Sequence, residues 1–511
     1  MSNFSVPFWP QPVTRGWFLR LFQAPTNPQR SISSLAKLNP ANLPGFVQAS
    51  PVAMKYLRLL GRLDWVHLPE RPDNRFSPDV RALPYAPFIA ACLVKIDQHL
   101  PYMADLRDYL VENPALLWVL GFPLKPSRQY SWGFDAQASL PTHRHFSRLL
   151  RTIPNHSLQF LLNSSVTLIR DELAPALGSD CRFGDCISLD TKHIIAWVKE
   201  NNPKAYIHEG RYDKTKQPIG DPDCRLGCKG KTNQRKKHNA VESIPVPTPL
   251  KNPVSADNLE IGEYYWGYGS GVVATKVPDW GEFVLAELTQ SFDQPDVSYF
   301  NPLMEQTERC LGLKPRFGAF DAAFDAFYVY EYFNHSDGFA AVPFVERGRK
   351  GKRMFDENGA PFCQAERPMT LKYTFQCKTT LIQHEGGRYV CPLIHPTKTG
   401  EACPIQHKNW EKGGCVSTIA TSPGARLRYQ LDRESEAYKK VYKQRTATER
   451  INSQAVEFGI ERPKLRNRAS ITNQNTLTYI LINLHALQRI RQRRRVELAE
   501  TLAERGQASS A

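Results

Sequence analysis

Tyr442-Lys443-Gln444-Arg445-Thr446-Ala447-Thr448-Glu449-Arg450-Ile451-Asn452-Ser453 places a phenol, a guanidinium and a carboxylate three and four residues apart. The stretch lies within Leu431 to Phe458, whose composition predicts one long helix. At about 100° per residue, Tyr442, Arg445 and Glu449 fall within roughly 60° of one another, so all three face one site. Read locally, Arg445 is an i,i+4 salt-bridge partner for Glu449. A carboxylate on such a face also suits divalent metal chemistry, provided that other acids converge on it from separate elements, because Mg²⁺ takes carboxylate and water oxygens.

Two acids elsewhere fit that requirement. Asp190 closes an apolar run in Ser188-Leu189-Asp190-Thr191-Lys192, and Asp321 closes another in Phe317-Gly318-Ala319-Phe320-Asp321. Each reads as the end of a strand, where an Asp is also a common turn former or helix cap. Asp325 is the rival to Asp321, and Asp321 is preferred because it directly follows the apolar run. The three acids are more than a hundred residues apart, so only a fold could bring them together.

The texture around these acids supports an α/β domain. Short apolar runs begin near Gly184, and strand-like composition returns at Tyr264–Val277 and Phe283–Leu288. Asp296–Leu311 and Phe324–Phe333 have helical spacing, and Phe339–Val345 is strand-like; the alternation predicts a layered mixed sheet with flanking helices. Residues 51–175 carry apolar positions at helical spacing throughout and form an N-terminal all-α domain. Residues 1–50 lack a sustained period and read as an arm. The sheet region is 176–345, a Gly-, Pro-, Lys- and Cys-rich insertion fills 346–424, the Glu helix belongs to 425–470, and a basic helix closes the chain over 471–511. Within the sheet region, Asn201 to Leu259 is a polar, Pro-rich excursion read as an exposed loop.

The combined motifs resemble the bacterial insertion-sequence transposases of the DDE type, in the group whose Glu sits in a Tyr-x2-Arg-x3-Glu signature. Phe320-Asp321-Ala322-Ala323-Phe324-Asp325 and Phe458-Gly459-x-x-Arg462-Pro463-Lys464-Leu465-Arg466 are similar to that group as well. The resemblance covers roughly residues 176–470. It implies an RNase H-like catalytic domain with Asp190 on the first strand, Asp321 just after the fourth and Glu449 on a helix packed behind them. It further implies Mg²⁺ or Mn²⁺ held by these three acids, with Arg445 and Tyr442 beside them. Two-metal phosphoryl transfer would then cut DNA and join strands, the ions sitting about 3.5 to 4 Å apart. The implied partners are double-stranded terminal inverted repeats and target DNA, bound by a homodimer. The group often has a Lys seven residues after the Glu; here that position is Val456. A metal-dependent DNA nuclease without strand transfer, and a DNA-binding regulator with an inactive catalytic domain, are the alternatives.

Charge agrees with a polyanionic partner. The 511 residues carry 66 Lys and Arg against 50 Asp and Glu, a formal net charge of +16. Between Lys439 and Arg495 there are 14 cations and three acids, a concentration suited to a phosphate backbone, although a charge run is often simply solvated. Lys464, Arg466, Arg450, Arg491, Arg493 and Arg494 are the DNA-contact candidates there. His143, Arg144, Arg148 and Arg151 form a second basic set in the helical domain. Neither a signal-like N-terminus nor an apolar run of about 18 residues is present, and 11 scattered cysteines suit a reducing compartment, so the expected location is the bacterial cytoplasm, on the nucleoid. In the insertion, Cys391-Pro-Leu-Ile-His395, Cys403-Pro-Ile-Gln-His407 and Cys415 are candidate Zn²⁺ ligands, with Cys363 or Cys377 able to complete a tetrahedral set. The standard C-x2-C knuckle is missing; Cys224 and Cys228 form a weaker pair.

Overall fold

The computed structural model describes residues 32–70, 84–178, 182–202, 213–230, 262–345, 353–378 and 381–508. Most of the polar excursion after Asn201, including Lys231 to Lys237, lies outside them, as do residues 1–31 of the expected arm.

A helical layer forms first: α1 (Pro51–Leu60), α2 (Tyr85–Asp97), α3 (Met103–Glu112), α4 (Pro114–Val119), α5 (His143–Thr152) and α6 (Asn155–Leu173). Ser50 caps α1 by accepting from the Ala53 N–H, and Pro51 suits its first turn, where no N–H is needed. α5 is strongly amphipathic. Phe146, Leu149 and Leu150 are buried, while His143, Arg144, Arg148 and Arg151 are exposed. The arm reading needs correcting over residues 32–50. Ile32–Lys37 and Gly45–Gln48 are helical, and Ile32, Leu35, Leu43 and Val47 are buried in the core of this layer. Pro40, Pro44 and Pro51 divide the stretch into turns too short to display a period.

The remainder is mixed α/β. Five strands, β1 (Cys186–Ile195), β2 (Gly262–Val277), β3 (Gly281–Ser291), β4 (Phe317–Ala319) and β5 (Phe339–Ala341), pair in the order β3-β2-β1-β4-β5. β1, β2 and β3 are mutually antiparallel, whereas β4 runs parallel to β1 and to β5. The segment Arg225–Gly230 extends the sheet by pairing with the first part of β2. Alternation in β1 sends Ile187 and Leu189 into one core and turns Ser188 and Asp190 to the opposite face.

Helices α7 (Phe300–Leu311) and α8 (Phe327–Asn334) bury Phe300, Leu303, Met304, Val329 and Phe333 in the same core as Ile187 and Leu189. After the insertion come α9 (Gly424–Gln430), α10 (Glu436–Tyr442), α11 (Thr446–Glu457) and α12 (Arg468–Ala508). The single long helix expected over Leu431–Phe458 is interrupted. Ser435 caps α10, and a 3₁₀ turn at Lys443–Arg445 joins α10 to α11. α12 begins earlier than the expected basic helix, and its apolar first half is a core element. Leu477, Tyr479, Ile480 and Leu484 pack with the helical layer, and Ala486, Leu487 and Ile490 with the opposite core. Asn483 accepts from the Val284 N–H and donates to the Val284 carbonyl, satisfying both backbone groups at the open edge of β3.

The insertion folds as a small antiparallel sheet of β6 (Thr370–Cys377), β7 (His384–Val390) and β8 (Val416–Ala420), with β7 central. Among the described residues, no helix is long and apolar enough to cross a membrane.

Candidate active site

The parallel register of β1 and β4 fixes the site. Ser188 pairs with Ala319, so Asp190 and Asp321 each follow two residues beyond the same rung, on neighbouring strands that run in one direction. Asp321 caps the next 3₁₀ turn by accepting from the Ala323 N–H at 2.9 Å, which holds its carboxylate at the strand end. Asp190 accepts from the Thr191 N–H at 2.9 Å and from Asn452 Nδ2 of α11 at 3.1 Å. The second bond ties the strand to the helix that carries Glu449.

A further carboxylate belongs to this group and has no counterpart in the sequence reading. Asp296 accepts from Thr191 Oγ1 at 2.7 Å. It arrives there because Tyr299, one turn later, lies against Gly269 and Gly271 of β2. A Cβ on Gly269 would come within 2.5 Å of Tyr299 Oη, and one on Gly271 within 2.4 Å of its Cδ1. Gly271 is also the register partner of Thr191, so two missing side chains let the Asp296 turn settle beside β1. At the head of a helical segment, Asp296 reads in sequence as an ordinary first-turn acid.

The electrostatics follow from this crowding. Burial raises the Asp190 pKa to about 6, with Asp321 and Asp296 adding to the rise while the Thr191 N–H and Arg445 oppose it. Burial also raises Asp321, again reinforced by Asp296 and opposed by the Ala323 N–H and Arg445. Arg445 is therefore the cation shared by the two acids; Asp190 does not close β1 as the sequence suggested but lies mid-strand, because β1 continues along β2 to Ile195 after its pairing with β4 has ended. Its Nη1 also pairs with Glu449 Oε1 at 2.8 Å, and its guanidinium lies 5.8 Å from the Tyr442 ring. The spacing that predicted a common face thus brings Tyr442, Arg445 and Glu449 together despite the 3₁₀ turn. Glu449 itself is exposed and joins Asp190 and Asp321 through Arg445. Among the described residues, no set of three or more His, Cys, Asp or Glu side chains stands ready-made to hold a metal ion.

Asp325 has a different role from Asp321. It is buried and accepts from Arg428 Nε at 2.7 Å, from Tyr330 Oη at 2.8 Å and from the Val345 N–H at 2.9 Å, a fully satisfied structural pair.

The basic candidates divide. Arg450 pairs with Glu282 at 2.6 Å; Arg491 and Arg494 share Glu172 at 3.0 and 3.1 Å; Arg493 pairs with Glu497 at 2.9 Å and lies over Trp280. These four already have carboxylate partners. Lys464 and Arg466 instead flank Trp197, at 5.7 and 5.0 Å from the centroid of its half-exposed ring.

In the insertion, Cys363, Cys391, Cys403, His407 and Cys415 line one cavity of about 10 Å³, and His395 is not among the lining residues. Cys363, Cys391 and Cys403 each open a turn, their carbonyls accepting from Glu366, Ile394 and Gln406 N–H groups. Burial, with Cys391 and Cys363 beside it, pushes the Cys415 thiol up to about 12.

Comparison of the sequence with models of known protein families gives no match, and comparison with curated proteins gives no significant one.

Proposed function

We propose that the chain is a DDE-type transposase of an insertion sequence, with an RNase H-like catalytic domain that cleaves and joins DNA at the ends of its element. The observation that carries this reading is the placement of Asp190 and Asp321 beyond the same rung of adjacent parallel strands, with Arg445 of the Tyr-x2-Arg-x3-Glu segment acting on both. The order β3-β2-β1-β4-β5 supports it, since, with the added strand Arg225–Gly230 set aside, the first acid lies on the first strand and the second just after the fourth.

The donor set suits Mg²⁺ or Mn²⁺. All candidate ligands are carboxylates, and burial raises the pKa of Asp190 and of Asp321, with Asp296 adding to both rises and Asp321 to that of Asp190, a crowding that a divalent cation relieves. Asp190, Asp321 and Glu449 would hold the ions, which supply activation of a water or a DNA 3′-hydroxyl and stabilisation of the leaving oxygen. The chain's own residues then have distinct tasks. Asn452 orients Asp190, the Ala323 N–H orients Asp321, and Arg445 pairs with Glu449 while offering a planar fork to a phosphate oxygen. Zn²⁺ in the insertion is part of the same proposal. Four thiols around one cavity form a soft donor set, and Cys363 replaces His395 in it.

Labelled DNA carrying the inverted repeats that flank the gene distinguishes this reading from its rivals. Joined products support a transposase; cuts without joining support a nuclease; binding alone supports a regulator.

A further inference from the structure

Lys95 lies on α2 and is only 6% exposed, yet among the described residues its ammonium has no hydrogen bond and no ion pair. Burial lowers its pKa, and only Cys92 and Asp105 act against that fall. Lys95 lines a cavity of about 260 Å³ between the helical layer and the turn that follows α11. His99, just past the end of α2, and Arg462 and Lys464, on the facing turn, are all exposed at the rim, with Glu457 as the one carboxylate among the described lining residues. Gln474, also buried and lining the cavity, has an amide oxygen without a partner.

The surrounding structure holds the notch open. His99 adopts φ 53° and stacks on Phe458 at 5.8 Å, and Phe458 stacks in turn on His485, whose Nε2 is 2.8 Å from Asp97 Oδ1. Pro463 is buried between Arg462 and Lys464, so both cations leave a fixed turn on the same side as the cavity. The Lys95 side chain is buried along its length while its ammonium opens only into this notch, a position that gains most from an anion that accepts its protons.

We propose that this notch binds a phosphate group, that of a nucleic-acid backbone, with Lys95 at its floor and Arg462 and Lys464 at its rim. The choice of a backbone over a free anion rests on the DNA-binding reading above and on the position of Trp197. That half-exposed ring is flanked by Lys464 and Arg466 and so continues the basic surface outward from the notch.

The test compares wild type with Lys95→Met and Arg462→Ala in two arms. In the first, binding of a labelled duplex is titrated against salt. Each variant is expected to bind several-fold more weakly, with a log–log salt slope smaller by about 0.9, the loss of one phosphate contact. In the second, inorganic phosphate is added during thermal unfolding. It should raise the melting temperature of wild type and have little effect on either variant. Lys95→Met keeps length and removes the buried charge, and Arg462 is exposed, so retained folding is expected of both and is read from the same melts. Equal slopes in all three proteins overturn the notch and leave the transposase reading standing. A wild-type chain that binds no duplex overturns the transposase reading and the backbone assignment together. The phosphate arm then decides alone: a shift lost in the variants keeps the notch as a site for free phosphate, and no shift overturns it.

Discussion

Glu287 offers a quantitative test of the architecture on which the site rests. Its carboxylate lies on β3, fully buried, and accepts from Thr289 Oγ1 at 2.6 Å, Thr476 Oγ1 of α12 at 2.8 Å, Gln159 Nε2 of α6 at 3.3 Å and Ser270 Oγ of β2 at 3.4 Å. One acid thereby joins the sheet, the long helix and the helical layer without a cation. Burial raises its pKa from 4.5 to about 7 against the pull of those hydrogen bonds. Because the folded-state value is the higher one, the folded chain keeps a proton that the unfolded chain has released. Stability owed to this group is greatest below about pH 4.5, falls as pH rises through that window and is lower by about 3 kcal/mol above pH 7. Glu287→Gln removes the titration while keeping the shape. Urea unfolding of both proteins at pH 5 and pH 8 should show the difference between them shifting by about 2.5 kcal/mol in favour of the variant at the higher pH. A difference that stays constant between the two pH values would refute the argument, and with it the sealed junction of β3, α6 and α12.

Arg445→Ala should slow single-turnover cleavage of a pre-bound DNA end by about a hundredfold to a thousandfold, and Arg445→Lys should recover only part of the rate. If Arg445 serves only as an i,i+4 partner of Glu449, worth about 0.3 to 0.5 kcal/mol, the loss will be about twofold. Asp325→Asn should destabilise the fold by about 3 to 5 kcal/mol in thermal or urea unfolding, because it leaves the Arg428 guanidinium buried without its charge partner. Asp321→Asn should instead leave stability nearly unchanged and abolish cleavage; the reverse pattern would exchange the roles assigned to the two acids. Elemental analysis of the purified chain should find one zinc per chain, lost in Cys363→Ser and Cys415→Ser and retained in His395→Ala. A metal-free chain would contradict the assignment of the cysteine cavity.

Asp321 was legible in the sequence because an apolar run closed by Asp is a local pattern that marks the end of β4, whereas Asp190, read in the same way, lies in the middle of β1, which runs on to Ile195 along β2. The common face of Tyr442, Arg445 and Glu449 was legible as a local pattern too, and it survives the 3₁₀ turn because Arg445, the last residue of that turn, keeps a helical backbone as the N-cap of α11. Asp296 was not legible. Its approach to β1 depends on Tyr299 filling the space above Gly269 and Gly271, a contact made across about 30 residues. Lys95 was hidden by its surroundings, since Phe88 to Ile96 reads as a plain core helix and nothing local announces that one of its members meets a distant basic turn. α12 was legible as a helix apolar first and basic afterwards, but its polar contacts were not: Asn473, Thr476 and Asn483 are buried polar groups whose partners lie about 190 to 320 residues away in sequence.

Anomalous diffraction from crystals of the chain soaked in Mn²⁺ tests the central claim most directly. The account predicts two peaks about 3.5 to 4 Å apart beside Asp190 of β1 and the end of β4. Carboxylate oxygens of Asp190, Asp321 and Glu449 should lie within about 2.6 Å of them. Ions held by Asp190, Asp321 and Asp296, with Glu449 left on Arg445, would contradict the assignment of the third ligand. No peak there would contradict the metal site itself.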